Sequence, residues 1–300
     1  MKASSGAADD SRLKHRRANG VDYAHTFPGG PPMRTRYVKS PDQIREMQAI
    51  YATPAFLDSR SVSLTFLTDP EVIRELLPPP LEPAAEPRVS VAVYEIGRSN
   101  CVGAFKGASV NLACRYNGED GLYCLTMPMS TGTAIVFGRE LYAEPKKLAD
   151  CQVIERGRFV HGTVTRHGVT YIEITGTFDE PMAPVDRASL SHHYYFKYLP
   201  AADGRGLAFD PQLVRVTHRG KTHRLAKGTG TLTFRESSHD PVIDLPVHLV
   251  EAAAYSEGET HTTAEVVTTV RAEDFLPWAY GKADDLTVWS DAGKLVGRRP

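Results

Sequence analysis

Gly138-Arg139-Glu140-Leu141-Tyr142-Ala143-Glu144-Pro145-Lys146-Lys147-Leu148-Ala149 is the most informative stretch of the chain. It sets two lysines after a proline and beside Leu148 and Ala149, close behind the apolar run 133–137, which reads as a strand. A lysine amine attacks carbon only when neutral, and at the reference pKa of about 10.4 roughly one lysine in 2,500 is neutral at pH 7. Lowering that pKa to about 6 takes about 6 kcal/mol of differential destabilisation of the ammonium. A second ammonium about 5 Å away supplies about 3 kcal/mol at an effective dielectric near 20, so a neighbouring charge is insufficient. Consecutive strand residues also point to opposite faces, which separates side chains that are adjacent in sequence. Burial of one lysine in an apolar pocket has to carry much of any shift.

Working outward, most of the chain shows a period near two. The segments 61–67, 88–96, 107–116 and 121–127 are short, rich in Val, Thr and aromatics, and bounded by turn residues, as strands are. Segments 160–165 and 169–178 read as a hairpin joined through Arg166-His167-Gly168. Further strands are expected at 194–199, 213–217, 229–235 and 262–270. Two short helices interrupt the pattern. Ser40-Pro41-Asp42-Gln43 carries a cap, a first-turn proline and a Gln three residues on, and Asp69-Pro70 opens a second run stopped by Pro78-Pro79-Pro80. Residues 1–32 are polar, contain Gly and Pro, and carry a basic cluster at 14–17, so they read as a flexible tail. The expected architecture is α+β but mainly β: one domain over 33–300 of curved antiparallel sheets or a β-barrel with a few short helices.

Several function classes are excluded or unsupported. Lys plus Arg number 35 against 36 Asp plus Glu, a net charge of −1, so nothing pulls the whole molecule toward nucleic acid or an anionic membrane. The four cysteines form no Cys-x-x-Cys pair, and the histidines lack metal-motif spacing, so no metal is expected. Gly228-Thr229-Gly230-Thr231 lies in a strand-like stretch without the helix a phosphate cradle needs, and no Gly-x-Ser-x-Gly elbow occurs. No apolar run approaches the roughly 18–20 residues of a membrane-crossing helix, and the first residues lack an apolar signal core, so a cytoplasmic location is expected.

Gly138-Arg139-Glu140-Leu141, three residues, then Pro145-Lys146-Lys147-Leu148 resembles the signature of the acetoacetate decarboxylase superfamily. The likeness extends to Thr68-Asp69, Leu76, Pro78, Pro80 and Leu81, to Tyr116-Asn117-Gly118, to the 196–204 region and to Asp244-Leu245-Pro246-Val247, roughly residues 55–270. It implies that Lys146 forms a Schiff base with a keto substrate, that Lys147 helps depress its pKa, and that Arg60, with one gap allowed, holds the substrate carboxylate. The superfamily's two active-site glutamates would fall near Ala92 and within 106–108, where no carboxylate stands. Glu144 replaces a tyrosine two residues before the reactive lysine; on the same face it would raise the Lys146 pKa, unless it is turned away or shuttles a proton. Tyr142 is a second polar candidate, or a packed core tyrosine.

The resemblance implies a Schiff-base lyase acting on a small keto acid, with no metal or organic cofactor, and a homo-oligomer. Because the two glutamates are missing, the expectation leans to aldolase-dehydratase chemistry on pyruvate plus an aldehyde, with β-keto acid decarboxylation as the alternative. A non-catalytic ligand-binding protein on the same scaffold is the rival class.

Overall fold

The first helix starts where its capping chemistry says it should. The Ser40 hydroxyl accepts the Gln43 N–H at 3.3 Å while Gln43 Oε1 accepts the Ser40 N–H at 3.0 Å, a closed capping box that opens α1 (Pro41–Ala52). The computed structural model of the chain describes residues 36–183, 189–237 and 239–282, so the expected tail at 1–32 lies outside the described residues. After α1 come β1 (Ala55–Leu67), α2 (Pro70–Leu76), β2 (Glu82–Pro83), β3 (Arg88–Ser99), β4 (Phe105–Tyr116) and β5 (Glu119–Met129). Then follow α3 (Gly132–Leu141), β6 (Lys146–Leu148), β7 (Asp150–Arg156), β8 (Phe159–Arg166) and β9 (Val169–Met182). The described chain ends with β10 (Ser189–Lys197), β11 (Gln212–Phe234), β12 (Leu249–Thr269) and α4 (Ala272–Ala279).

All the strands belong to one strongly curved sheet, ordered β10-β5-β4-β3-β1-β12-β11-β9-β8-β7, with β2 on β4 and β6 on β5. The hairpins β4–β5 and β8–β9 turn through Asn117-Gly118 and His167-Gly168, both residues of each pair at positive φ, which suits the right-handed twist of the flanking strands. β10 pairs antiparallel with β11 along its length and touches β5 at two parallel positions, His193↔Leu122 and Tyr194↔Tyr123. The end strand β10 therefore curls back to meet β11, joined to β5 by only two residue pairs, while β9, β8 and β7 extend beyond that ring.

β11 is the pivot of this arrangement. Its first half pairs with β10, its second half with β9, and β12 runs along its other edge. The β7–β9 extension folds back over β1 and β3, and the main core, including Val62, Leu64, Val93, Val164, Ile172 and Ile174, fills the gap. Gly162 of β8 sits at the closest approach, where an added Cβ would lie 2.7 Å from Val62 Cγ1. A smaller apolar cluster, with Ile96, Phe105, Met127, Met129 and Tyr195, lies inside the curl of the sheet.

Two expectations need correction. Residues 133–137 are not a strand but the middle of α3, whose N-cap Thr131 accepts from the Ala134 N–H. Thr133, Ile135 and Val136 favour a strand by β-branching, but Ala134 and Gly138, four residues apart, bury one helical face. Segments 213–217 and 229–235 are the two ends of one 23-residue strand, β11, whose polar middle masks its continuity.

Candidate active site

The turn between α3 and β6 builds the site. The Gly138 carbonyl accepts the N–H groups of Tyr142 at 3.1 Å and Glu144 at 3.2 Å, closing the helix, and Ala143 takes a left-handed φ of 61° to reverse the chain. Pro145 O then accepts the Met127 N–H, and β6 joins β5 in parallel with Met127↔Lys146 and Pro128↔Lys147 in register. Arg139 reaches forward from the helix to donate to the Lys146 carbonyl at 3.0 Å. The spacing of the motif thus has a local cause: the helix end and the short strand hold each other in place.

β6 sends its two lysines apart. Lys146 enters a cavity of about 370 Å³ lined by groups including Glu144, Tyr94, Met127, Tyr195, His193 and His218. It is only 5% exposed, and its Nζ lies 2.7 Å from Oε2 of Glu144, itself 8% exposed. The two groups are in ion-pair contact without hydrogen-bond alignment, and among the described residues that carboxylate oxygen has no hydrogen-bond partner. Glu144 therefore shares the face of Lys146; Pro145 does not turn it away.

Lys147 points elsewhere. Its ammonium donates to Asp240 Oδ1 at 3.0 Å and to the His239 carbonyl at 3.2 Å, while Arg166 donates to Asp240 Oδ2 at 2.8 Å and to the Leu148 carbonyl. All three side chains are buried. The resemblance assigns Lys147 to depressing the Lys146 pKa; the fold meets its charge with a carboxylate and does not set it among the cavity-lining groups. Asp240, 93 residues away in sequence, has no local signal that sequence reading can use.

Arg60 is also corrected. On β1 the residues either side of it, Ser59 and Ser61, line the cavity, so the strand period turns Arg60 to the other face. There it meets Glu95 at 2.7 Å, and Glu95 is likewise turned away while Tyr94 and Ile96 face the cavity. Tyr142 is the packed core tyrosine: its ring meets Phe137 edge-on at 6.3 Å and it does not line the cavity.

Two cavity residues escaped the sequence reading. His193 of β10 and His218 of β11 stand edge to face with ring centroids 4.7 Å apart. His218 Nδ1 is hydrogen-bonded to the buried Thr262 hydroxyl at 3.0 Å, whereas His193 Nδ1 is buried without a hydrogen-bond partner among the described residues. Burial pushes His218 down to about 4, against the pull of the Glu144 carboxylate and helped by the Lys146 ammonium. Burial likewise holds His193 well below its ordinary value, with His218 and His192 adding to the effect. Both rings are therefore neutral at pH 7. The phenols of Tyr94 and Tyr195 are pushed up by burial and stay protonated. Among the described residues no group of three or more His, Cys, Asp or Glu is arranged to hold a metal ion.

Gly138 is required by this packing. A Cβ placed there would meet Glu144 Oε2 at 1.9 Å and Lys146 Nζ at 2.5 Å. Gly138→Ala is expected to leave a folded protein whose lysine is displaced, with activity reduced on the order of a hundredfold, the cost of an ångström-scale misplacement of a reacting group. Activity and circular dichroism measured side by side check this; an alanine variant with undiminished activity would show that the lysine pocket is looser than its geometry.

The arrangement matches known proteins over most of its length. The family model "Acetoacetate decarboxylase (ADC)" matches residues 39–270. Acetoacetate decarboxylase of Burkholderia vietnamiensis is 30% identical over 219 residues, 71% of this chain and 87% of its own. The crystal structure of the Legionella pneumophila acetoacetate decarboxylase superposes with a TM-score of 0.66 at 20% identity, covering 72% of this chain and 87% of that one. The enduracididine biosynthesis enzyme MppR complexed with pyruvate superposes with a TM-score of 0.59 at 18% identity, covering 72% of this chain and 90% of its own. A further MppR structure, holding the condensation product of pyruvate and imidazole 4-carboxaldehyde, gives 0.57 at 17% identity, covering 74% of this chain and 90% of that one. With the lysine turn, the curled sheet and the match over residues 39–270 in agreement, this chain belongs to the acetoacetate decarboxylase family.

Proposed function

We propose that this protein is a lyase that forms a Schiff base between Lys146 and a small keto acid, and that it condenses pyruvate with an aldehyde and dehydrates the product. The carrying observation is the placing of Lys146 at 5% exposure in a cavity of about 370 Å³ whose β3 and β4 walls, where the decarboxylase glutamates were expected, carry no carboxylate, while Glu257 and Glu259 enter from β12. From β3 and β4 that cavity takes Tyr94, Ile96, Phe105 and Ser109, none of them acidic. Its volume falls in the ~300–1,000 Å³ range of sites for drug-sized ligands, which leaves room for an aldehyde beside a three-carbon acid. The MppR structures with pyruvate and with a pyruvate-aldehyde condensation product support the same reading.

In the proposed sequence Glu144, in contact with Nζ, takes a proton from the Lys146 ammonium, the freed amine adds to the ketone carbonyl, a proton passes from nitrogen to the new oxygen, and Glu144 returns its proton to the departing hydroxyl. Loss of water leaves an iminium whose positive nitrogen draws electrons from the adjacent carbon. The hydroxyls of Ser61 and Ser109 on the cavity wall offer donors to the substrate carboxylate, the part assigned on sequence to Arg60. Acetoacetate decarboxylation is the second reading, carried by the relatives of that name at 28–30% identity.

One experiment separates the readings. Borohydride added with pyruvate is expected to leave a covalent mass increment on Lys146, and pyruvate with an aldehyde is expected to yield a new conjugated product, whereas acetoacetate alone yields little carbon dioxide. Rapid release of carbon dioxide from acetoacetate would overturn the condensation reading in favour of the decarboxylase. Failure of every keto acid to modify Lys146 would leave a ligand-binding protein.

A further inference from the structure

We infer that His218, oriented by Thr262 and flanked by His193, is the base that removes the proton from the carbon next to the iminium of the Lys146-bound keto acid. The assignment rests on the Schiff-base reading above and adds to it the group that handles the proton at carbon.

The cavity narrows the choice. Removing that proton needs a lone pair that faces the substrate and is free of a proton at neutral pH. Glu144 is held against the Lys146 nitrogen at 2.7 Å, where it serves proton transfers at nitrogen. The phenols of Tyr94 and Tyr195 hold their protons. Glu257, from β12, already accepts from Arg224 at 2.7 Å and from the Tyr255 hydroxyl at 3.0 Å, and Glu259 on the same strand is one third exposed and faces His223 at 3.8 Å. His218 differs from all of these. Its Nδ1 lies 3.0 Å from the Thr262 hydroxyl, which fixes the ring, and the assignment takes the tautomer in which Nδ1–H donates to that oxygen and the lone pair stands on Nε2 of a cavity-lining residue. His193 packs its ring edge-on against His218, so two imidazolium charges there would repel and the pair takes up one proton at a time.

The step balances without any further reagent. The C–H bond of the methyl carbon breaks, its electron pair forms the C=C bond of the enamine, the C=N π pair moves to the lysine nitrogen, and the proton goes to Nε2 of His218. When the enamine carbon bonds to the aldehyde carbon, the imidazolium returns that proton to the new alkoxide. Elimination of water then needs a second proton removal at the same carbon, which the neutral ring performs to re-form the enamine; as the enamine expels the hydroxyl, the imidazolium returns that proton to it, so water leaves and the iminium, now conjugated, is restored.

The test separates binding from proton transfer. The full-length protein, His218→Asn and His218→Gln are each incubated with pyruvate in D2O. Loss of the pyruvate methyl signal measures exchange, and borohydride trapping measures Schiff-base formation on Lys146. The expected result is wild-type trapping in the variants with methyl exchange slowed by a factor of about 10²–10⁴, the usual contribution of a general base. Unchanged exchange in a variant that still traps pyruvate overturns the role of His218 and leaves the Schiff base standing. Loss of trapping in both variants also overturns it, since His218 would then maintain the pocket rather than move a proton. Absence of trapping in the wild type removes the Schiff-base reading, and this inference with it.

Discussion

Replacing Lys146 by methionine is expected to abolish borohydride trapping and to reduce turnover by at least a thousandfold, because groups that act as a unit in covalent catalysis lose nearly all their effect when the nucleophile goes. The substitution keeps an unbranched side chain of similar bulk, one atom shorter, and removes the nitrogen that bonds to substrate. It also leaves Glu144 buried at 8% exposure with no cation beside it. Stability is therefore expected to fall as well, by up to about 3–5 kcal/mol, the range for removing one partner of a buried pair, and by less wherever Glu144 takes up a proton. The double variant Lys146→Met, Glu144→Gln separates the two effects. It should recover much of the stability and none of the activity, since a glutamine carries no charge into the pocket. Denaturant titration and turnover measured on the same preparations decide the matter. A single variant that still turns over a keto acid would refute covalent catalysis at this position.

Asp240→Ala should have the larger effect on folding and the smaller effect on chemistry. Asp240 is 3% exposed and accepts from both Lys147 and Arg166, so its removal takes the carboxylate away from two buried cations and leaves them only their remaining carbonyl contacts and other neighbours. Breaking a buried ion pair from one side costs about 3–5 kcal/mol. For a chain of this size that corresponds to a fall in Tm on the order of 10 °C. Activity measured well below the new Tm should change little, because neither Lys147 nor Asp240 lines the cavity. The opposite outcome, full stability with lost activity, would return Lys147 to the catalytic apparatus as a charge acting on Lys146.

What could be read from the sequence, and what could not, follows from the range of each signal. Lys146 was legible because its surroundings are local: Gly138, Arg139, Glu144 and Pro145 all act within one turn and one short strand. The capped helix at Ser40 and the hairpin at His167-Gly168 were legible for the same reason. Arg60 failed on strand parity, which one position decides: Ser59 and Ser61 face the cavity and Arg60 cannot. That Lys147 points away from Lys146 follows from strand alternation, but its partner Asp240 lies across the fold and had no local signal. His193 and His218 sit on strands that meet only after folding, His193 opposite Val216 and His218 opposite Ser191, so no spacing along the chain announces them. Residues 133–137 misled because a five-residue apolar run with β-branched side chains fits a strand as well as a buried helix turn.

The long strands β11 and β12 have a consequence for how the molecule comes into being. β1 lies between β3 and β12 and pairs with the latter from Ala55↔His261 to Leu67↔Leu249, so one of its edges finds its neighbour only after some two hundred further residues have been made. The cavity takes wall residues from β1 at one end of the chain and from Ser256 to Thr260 of β12 at the other. A ribosome-bound chain therefore carries an exposed strand edge and an open apolar trough until almost all of the domain has emerged, and both invite pairing with other chains. Closure of the sheet by β12 is the event that ends that hazard and, in the same motion, completes the chamber around Lys146.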